Sequence, residues 1–166
     1  MQNLRLYTFT NFYLNTISQG IQPAHVIGRM ATKYRFEGSF LADMFWAWLE
    51  EGQDNETMYC LNGGMAADVF EAYQKFVPCL TEFGLPTGIF FEEPRALGAA
   101  GSVPAPTSWG VVLPERLYSA KFVPDYPSVG PAYCERLGSG VGKIIATPDF
   151  PMFDFLDYRS KCPLAR

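Results

Sequence analysis

The sequence predicts an α/β domain in which a mixed four-stranded sheet is covered by helices. Three observations lead there. Segments rich in β-formers alternate with segments carrying apolar residues at helical spacing, in the order β-α-α-β-α-β-β. Parallel neighbours in such an order need a helical crossover, whereas the last two strands follow one another without a helix and can pair directly. The 166 residues are 48% hydrophobic and 18% charged, which gives enough apolar material for one core and too little length for two comfortable ones.

The first strand is read at Leu4 to Thr10 and gives way to the polar, turn-prone stretch from Asn11 to Ser18. From Gly20 to Tyr34, the residues Ile21, Ala24, Ile27, Met30, Ala31 and Tyr34 fall at helical spacing. Pro23 is tolerable only in a first turn, which puts the helix start near Ser18 to Gly20. Ser39 caps a second helix whose stripe Leu41, Met44, Phe45, Trp48 and Leu49 stops at Gly52. Thr57 to Leu61 is a short strand closed by Asn62-Gly63-Gly64. Asp68 to Phe83 is a third helix with Val69, Tyr73, Phe76, Val77 and Leu80 facing inward, and Pro78 is expected to kink or shorten it. Thr87 to Phe91 and Ser108 to Leu113 complete the sheet, joined by a loop rich in Pro, Gly and Ala from Glu92 to Pro106.

These elements occupy residues 1–113. From Pro114 onward Pro124, Pro127, Pro131, Pro148, Pro151 and Pro163 interrupt any regular element, so residues 114–166 are expected to be an irregular, aromatic extension packed on the same domain. Its rings, among them Tyr118, Phe122, Tyr126, Tyr133, Phe150, Phe153, Phe155 and Tyr158, suit covering a sheet edge, overhanging a pocket or building a homo-oligomer contact.

Charge and composition exclude several classes. Thirteen basic against 17 acidic residues give a net charge of −4 with no Lys/Arg block, so an extended nucleic-acid partner is not expected. Cys60, Cys79, Cys134 and Cys162 form no C-x-x-C pair, and a lone histidine, His25, completes no zinc set; no metal and no cofactor are expected. Reduced thiols point to the cytoplasm, the host's if the protein is viral. No stretch approaches the ~20 apolar residues of a membrane span, so no membrane partner is expected.

The most informative run is Gly20-Ile21-Gln22-Pro23-Ala24-His25, which opens a helix directly after a strand. Polar side chains and free backbone N–H groups then meet at one sheet end, where anions and nucleotide-like ligands bind. His25 serves there either as a ligand contact or general base, or as a hydrogen-bonded structural residue. Glu92 and Glu93 are adjacent on a strand, so at most one faces a pocket. Alternation puts Thr107, Trp109 and Val111 on one face, so a ligand touching Thr107 would reach the indole. Asn62 either satisfies its turn or reads a base, and Arg95 either clamps a phosphate or is solvated. Gly138 to Lys143 lacks the P-loop's first glycine and its hydroxyl residue, which leaves a turn or an anion nest with Arg136 and Lys143 nearby.

In order and spacing, the first strand, Gly20-x-Gln22-x-x-His25, Thr57 to Gly64, Gly84-Leu85-Pro86, the strand ending in Glu92-Glu93 and the strand beginning at Thr107 resemble the peptidyl-tRNA hydrolase 2 family over Leu4 to Leu113. The resemblance implies a compact α/β fold with a site where the first loop, the strand end near Glu92 and Thr107 converge. It also implies cleavage of the ester joining peptide to tRNA, by a lysine near the first helix start, an aspartate after the third strand and a threonine on the fourth. Thr107 matches the threonine, and Glu92 or Glu93 stands in for the aspartate. The lysine position falls on Ser18, and no basic residue lies between Arg5 and Arg29. Loss of a cation near the scissile ester costs several kcal/mol of barrier lowering.

Two functions follow as expectations. The first is a non-catalytic protein that sequesters a small nucleotide-derived ligand, a cyclic nucleotide or ADP-ribose type of signal. It would use Ser18, Gln19, Gly20, Gln22, His25, Asn62, Arg95, Thr107 and Trp109, with rings such as Tyr7, Phe12 and Tyr13 for stacking. Such a protein is similar in kind to phage anti-defence sponges that sequester immune signals of the bacterial host. The alternative is a peptidyl-tRNA hydrolase using Glu92 or Glu93, Thr107 and His25 to activate water.

Overall fold

The structure is a computed structural model that describes residues 3–14, 16–50, 57–95, 103–137 and 140–165. Strand β1 (Leu4–Thr10) leads through α1 (Thr16–Tyr34) and α2 (Phe40–Glu50) to β2 (Met58–Asn62), which lies parallel to it, pairing Tyr7 with Tyr59 and Phe9 with Leu61. Two helices supply the crossover that parallel neighbours require. After α3 (Ala66–Glu82), β3 (Thr87–Glu92) and β4 (Ala105–Pro114) follow, and β4 inserts antiparallel between β1 and β3. The sheet order is β2-β1-β4-β3, the mixed four-stranded sheet that the sequence predicts.

The two faces of this sheet have different covers. On one, α1 packs close because Gly88 and Gly110 lack side chains: a Cβ at Gly88 would lie 2.4 Å from Met30 Cγ, and one at Gly110 would lie 3.2 Å from Val26 Cγ1. On the other, Phe9 and Trp109 stack with centroids 4.5 Å apart, and Tyr73 of α3 meets the indole edge-on at 6.3 Å. A last helix, α5 (Pro151–Lys161), closes this face through Phe155, whose ring contacts Phe9, Phe76 and Trp109.

Three sequence expectations are corrected. Helix α1 starts at Thr16, so Pro23 lies inside it and not in the first turn; its ring leaves the Gln19 carbonyl without the usual partner four residues on. Helix α3 likewise runs through Pro78 to Glu82 without being shortened. The extension is not irregular: a one-turn α4 (Glu115–Tyr118) leads to an antiparallel sheet of β5 (Lys121–Tyr126), β6 (Gly130–Leu137) and β7 (Gly140–Ala146), followed by α5. Pro124 and Pro131 fit because both fall where the register slips between Val123 and Tyr126, where no ladder donor is needed. Buried Tyr133, Ala146, Met152, Phe155 and Leu156 from this part join the same apolar core as Leu6, Phe9 and Val111. Among the described residues no helix is long and apolar enough to cross a membrane, and all four cysteines are free.

Candidate functional site

Strand β4 carries one irregularity, and it sets the site. Phe90 pairs with Ser108 while Phe91 pairs with Pro106, so Thr107 is an extra residue, a β-bulge. Alternation fails across it. Ser108 points toward α1 with Thr10, their hydroxyls 2.9 Å apart, and Thr107 points the same way, donating from Oγ1 to Gln22 Oε1 at 2.8 Å. Gln22 Nε2 in turn donates to Glu92 Oε2 at 2.9 Å. The orientation of this amide is dictated by chemistry. A carboxylate accepts only, so the NH₂ must face Glu92, the carbonyl must face Thr107, and the Thr107 proton is committed to it. Thr107 is fully buried and Gln22 nearly so, which makes each bond costly to lose.

The bulge also explains a correction. Trp109 does not share a face with the Thr107 hydroxyl; the indole is sealed between Phe9, Tyr73 and Phe155 with 0% exposure and offers no ligand platform. Tyr7, another ring considered for stacking, is buried against Tyr59.

A cavity of about 370 Å³ opens at the carboxyl ends of β1 and β2, lined by Thr10, Phe12, Gln19, Asn62, Pro163, Leu164 and Ala165. The ends of parallel strands are where ligands of open α/β sheets commonly sit, and the volume is within the usual range for small molecules. Gln19, on the first turns of α1, staples the loop after β1 by donating from Nε2 to the carbonyls of Phe12 (3.0 Å) and Leu14 (2.7 Å). Asn62 Oδ1 accepts the Gly64 N–H at 2.9 Å, and Gly64 sits at φ +91°, a conformation that favours glycine. Asn62 therefore both makes its turn and contributes to the cavity wall. Phe12 and Tyr13 stack on each other with centroids 4.2 Å apart and are 43% and 66% exposed. Helix α1 has no acidic residue in its first turn.

The far wall is a strap missed by sequence reading. Beyond α5, Asn62 N–H donates to Pro163 O at 2.8 Å and Ala165 N–H to Cys60 O at 2.9 Å, making Leu61 and Leu164 an antiparallel bridge on the outer edge of β2. Leu164 is 61% exposed, so little side-chain burial holds the strap. The Asn62 and Ala165 amides are therefore expected to exchange with deuterium at least about a hundredfold faster than those of Phe9 or Val111. Hydrogen exchange read by NMR checks this, and equal protection contradicts it.

The remaining candidates lie elsewhere. Gln22, Glu92 and Thr107 meet one another but do not line the cavity. His25 is exposed on α1 and stacks on Phe90 of β3 at 4.3 Å and 14°. Glu93 and Arg95 are exposed just past β3, outside the hydrogen-bonded chain. Gly20 is exposed on α1 with open space beside it, and Ser18 is half-buried on the same helix. The Gly138 to Lys143 turn includes residues 138 and 139, which lie outside the described residues; on either side β6 and β7 pair Leu137 with Gly140. Among the described residues no three or more His, Cys, Asp or Glu side chains are grouped to hold a metal ion.

Compared with models of known protein families and with curated proteins, the chain matches none.

Proposed function

We propose that this protein binds a small nucleotide-derived ligand in the cavity at the carboxyl ends of β1 and β2 and releases it unchanged. The observation that carries the reading is the separation of two features: a cavity walled by Thr10, Gln19 and Asn62, and a hydroxyl chain whose one proton is already engaged with Gln22. The amino end of α1, free of acidic side chains, favours an anionic group through its backbone N–H groups and dipole. The exposed Phe12–Tyr13 pair suits a base, each stacked base being worth about 1–3 kcal/mol. Sequestration of a signalling nucleotide, as by a viral sponge acting in a host cell, is the biological role this chemistry fits by analogy.

The test is incubation with cyclic dinucleotides and ADP-ribose derivatives, followed by removal of free ligand, heat release and chromatography. Intact ligand is the expected product, and Phe12→Ala is expected to weaken retention by about tenfold or more. A degraded product, or no retention of any candidate, contradicts the proposal.

One observation favours a second reading, ester hydrolysis on peptidyl-tRNA. Gln22, Glu92 and Thr107, three positions brought forward by the family resemblance, do converge. Turnover of peptidyl-tRNA that disappears in Thr107→Ala would establish it; survival of the substrate is the outcome expected from the absent lysine.

A further inference from the structure

At the other end of β1, where the two sheets meet, a cavity of about 550 Å³ is walled by Arg5 of β1, Glu115, Arg116 and Tyr118 of α4, Ser119, and Glu135 of β6. Two arginines and two glutamates thus stand around one space, yet none is ion-paired; among the described residues the ion pairs are Lys75 with Asp154 and Lys161 with Asp157. The Arg5 backbone is paired into the sheet with Leu113 of β4, so its side chain is what reaches the wall. That side chain is held in place by aromatic neighbours: Nη1 donates to Tyr59 Oη at 3.2 Å, and the guanidinium carbon lies 4.1 Å from the centre of the Tyr118 ring, itself part of the wall. Arg5 and Glu135 are both half-buried and keep accessible surface. A smaller cavity of about 160 Å³ shares Arg116 and Glu135 with the first and ends on Leu117, Ile145 and Met152, side chains of the apolar core or packed against it. Its one further charge among the described residues is the exposed Lys143.

We propose that these adjoining cavities bind a free α-amino acid with an apolar side chain, its carboxylate on Arg5, its ammonium on Glu135 and its side chain against Leu117, Ile145 and Met152. A lone anion in the larger cavity meets two carboxylates and a lone cation meets two guanidiniums, whereas a molecule carrying both charges has a partner for each. Arg5 is already fixed by Tyr59 and Tyr118, so little ordering is needed when the carboxylate arrives. Glu135 and Arg116 line both cavities, which puts the charged head where the polar space gives way to the apolar one. The site shares no wall residue with the cavity at the carboxyl ends of β1 and β2 and stands whether or not a nucleotide binds there.

The experiment measures, by isothermal titration of the full chain, the affinities of leucine, methionine, glycine, leucinamide and N-acetylleucine. Leucine or methionine is expected to bind, and glycine, which leaves the apolar cavity empty, at least about tenfold more weakly. Leucinamide lacks the carboxylate and N-acetylleucine lacks the ammonium, and each is expected to lose at least about tenfold against leucine. In Glu135→Gln the preference for leucine over N-acetylleucine is expected to shrink severalfold, and in Arg5→Gln the preference for leucine over leucinamide. Each comparison lies within one variant, so any loss of its stability cancels. No binding of leucine or methionine at millimolar concentration, equal affinities for leucine and its two blocked forms, or preferences unchanged in both variants would overturn the proposal.

Discussion

Trp109→Ala is expected to lower the free energy of unfolding by about 3–5 kcal/mol, the usual cost of removing a large buried aromatic ring. The indole is fully enclosed, lies face to face with Phe9 at 21° between planes, and meets Tyr73 and Phe155 from α3 and α5. It thus joins the sheet to both helices on that face. Burial of the neighbouring Tyr158 pushes its phenol well above the ordinary value, consistent with a dry interior around the indole N–H. Against a typical total stability of about 5–15 kcal/mol, such a loss brings the variant close to unfolding. Urea denaturation followed by circular dichroism measures it. A change below about 1 kcal/mol together with lost ligand binding would return Trp109 to the site and contradict the packing described.

The second large effect is at Gln22. Gln22→Leu removes the acceptor of the Thr107 hydroxyl and a donor to Glu92 together, leaving a fully buried hydroxyl unpaired, and is expected to cost about 2–3 kcal/mol. Gln22→Glu is expected to behave differently with pH. It sets a second carboxylate against Glu92 across a contact now spanning 2.9 Å, and two carboxylates so placed hold one proton to higher pH than an isolated carboxyl does. The folded state then binds more protons than the unfolded chain near neutrality, so the variant is relatively stable at pH 4 and loses stability as pH rises toward 7. Denaturation midpoints at the two pH values check the sign; a variant insensitive to pH would mean that Gln22 and Glu92 do not meet in solution.

The sheet and its helices were legible because each element carries its own period and its own stop. Ser39 is an example, since its Oγ accepts the Ala42 N–H at the start of α2. Gln22, Glu92 and Thr107 were legible too, through the order of motifs along the chain. Their relation to Trp109 was not, because strict alternation assumes an unbroken ladder, and one extra residue at Thr107 reverses which side chains share a face. Pro106, unable to donate to the ladder, was the local hint of that slip. The extension was misread for a related reason. Prolines argue against central strands, yet Pro124 and Pro131 sit at a register slip where no donor is required. The strap at Pro163 to Ala165 had no signal at all, since a bridge of one residue pair leaves no alternating pattern in the sequence.

A nucleotide bound as proposed lies against Thr10, Gln19 and Asn62 and stays chemically intact. Amide shift mapping by NMR during titration with a cyclic dinucleotide tests both parts in one sample. The expected shifts are confined to Thr10, Phe12, Gln19, Asn62 and the strap amide of Ala165, with ligand resonances unchanged over hours. Shifts gathered instead around Gln22, Glu92 and Thr107, or the growth of product resonances, would contradict it.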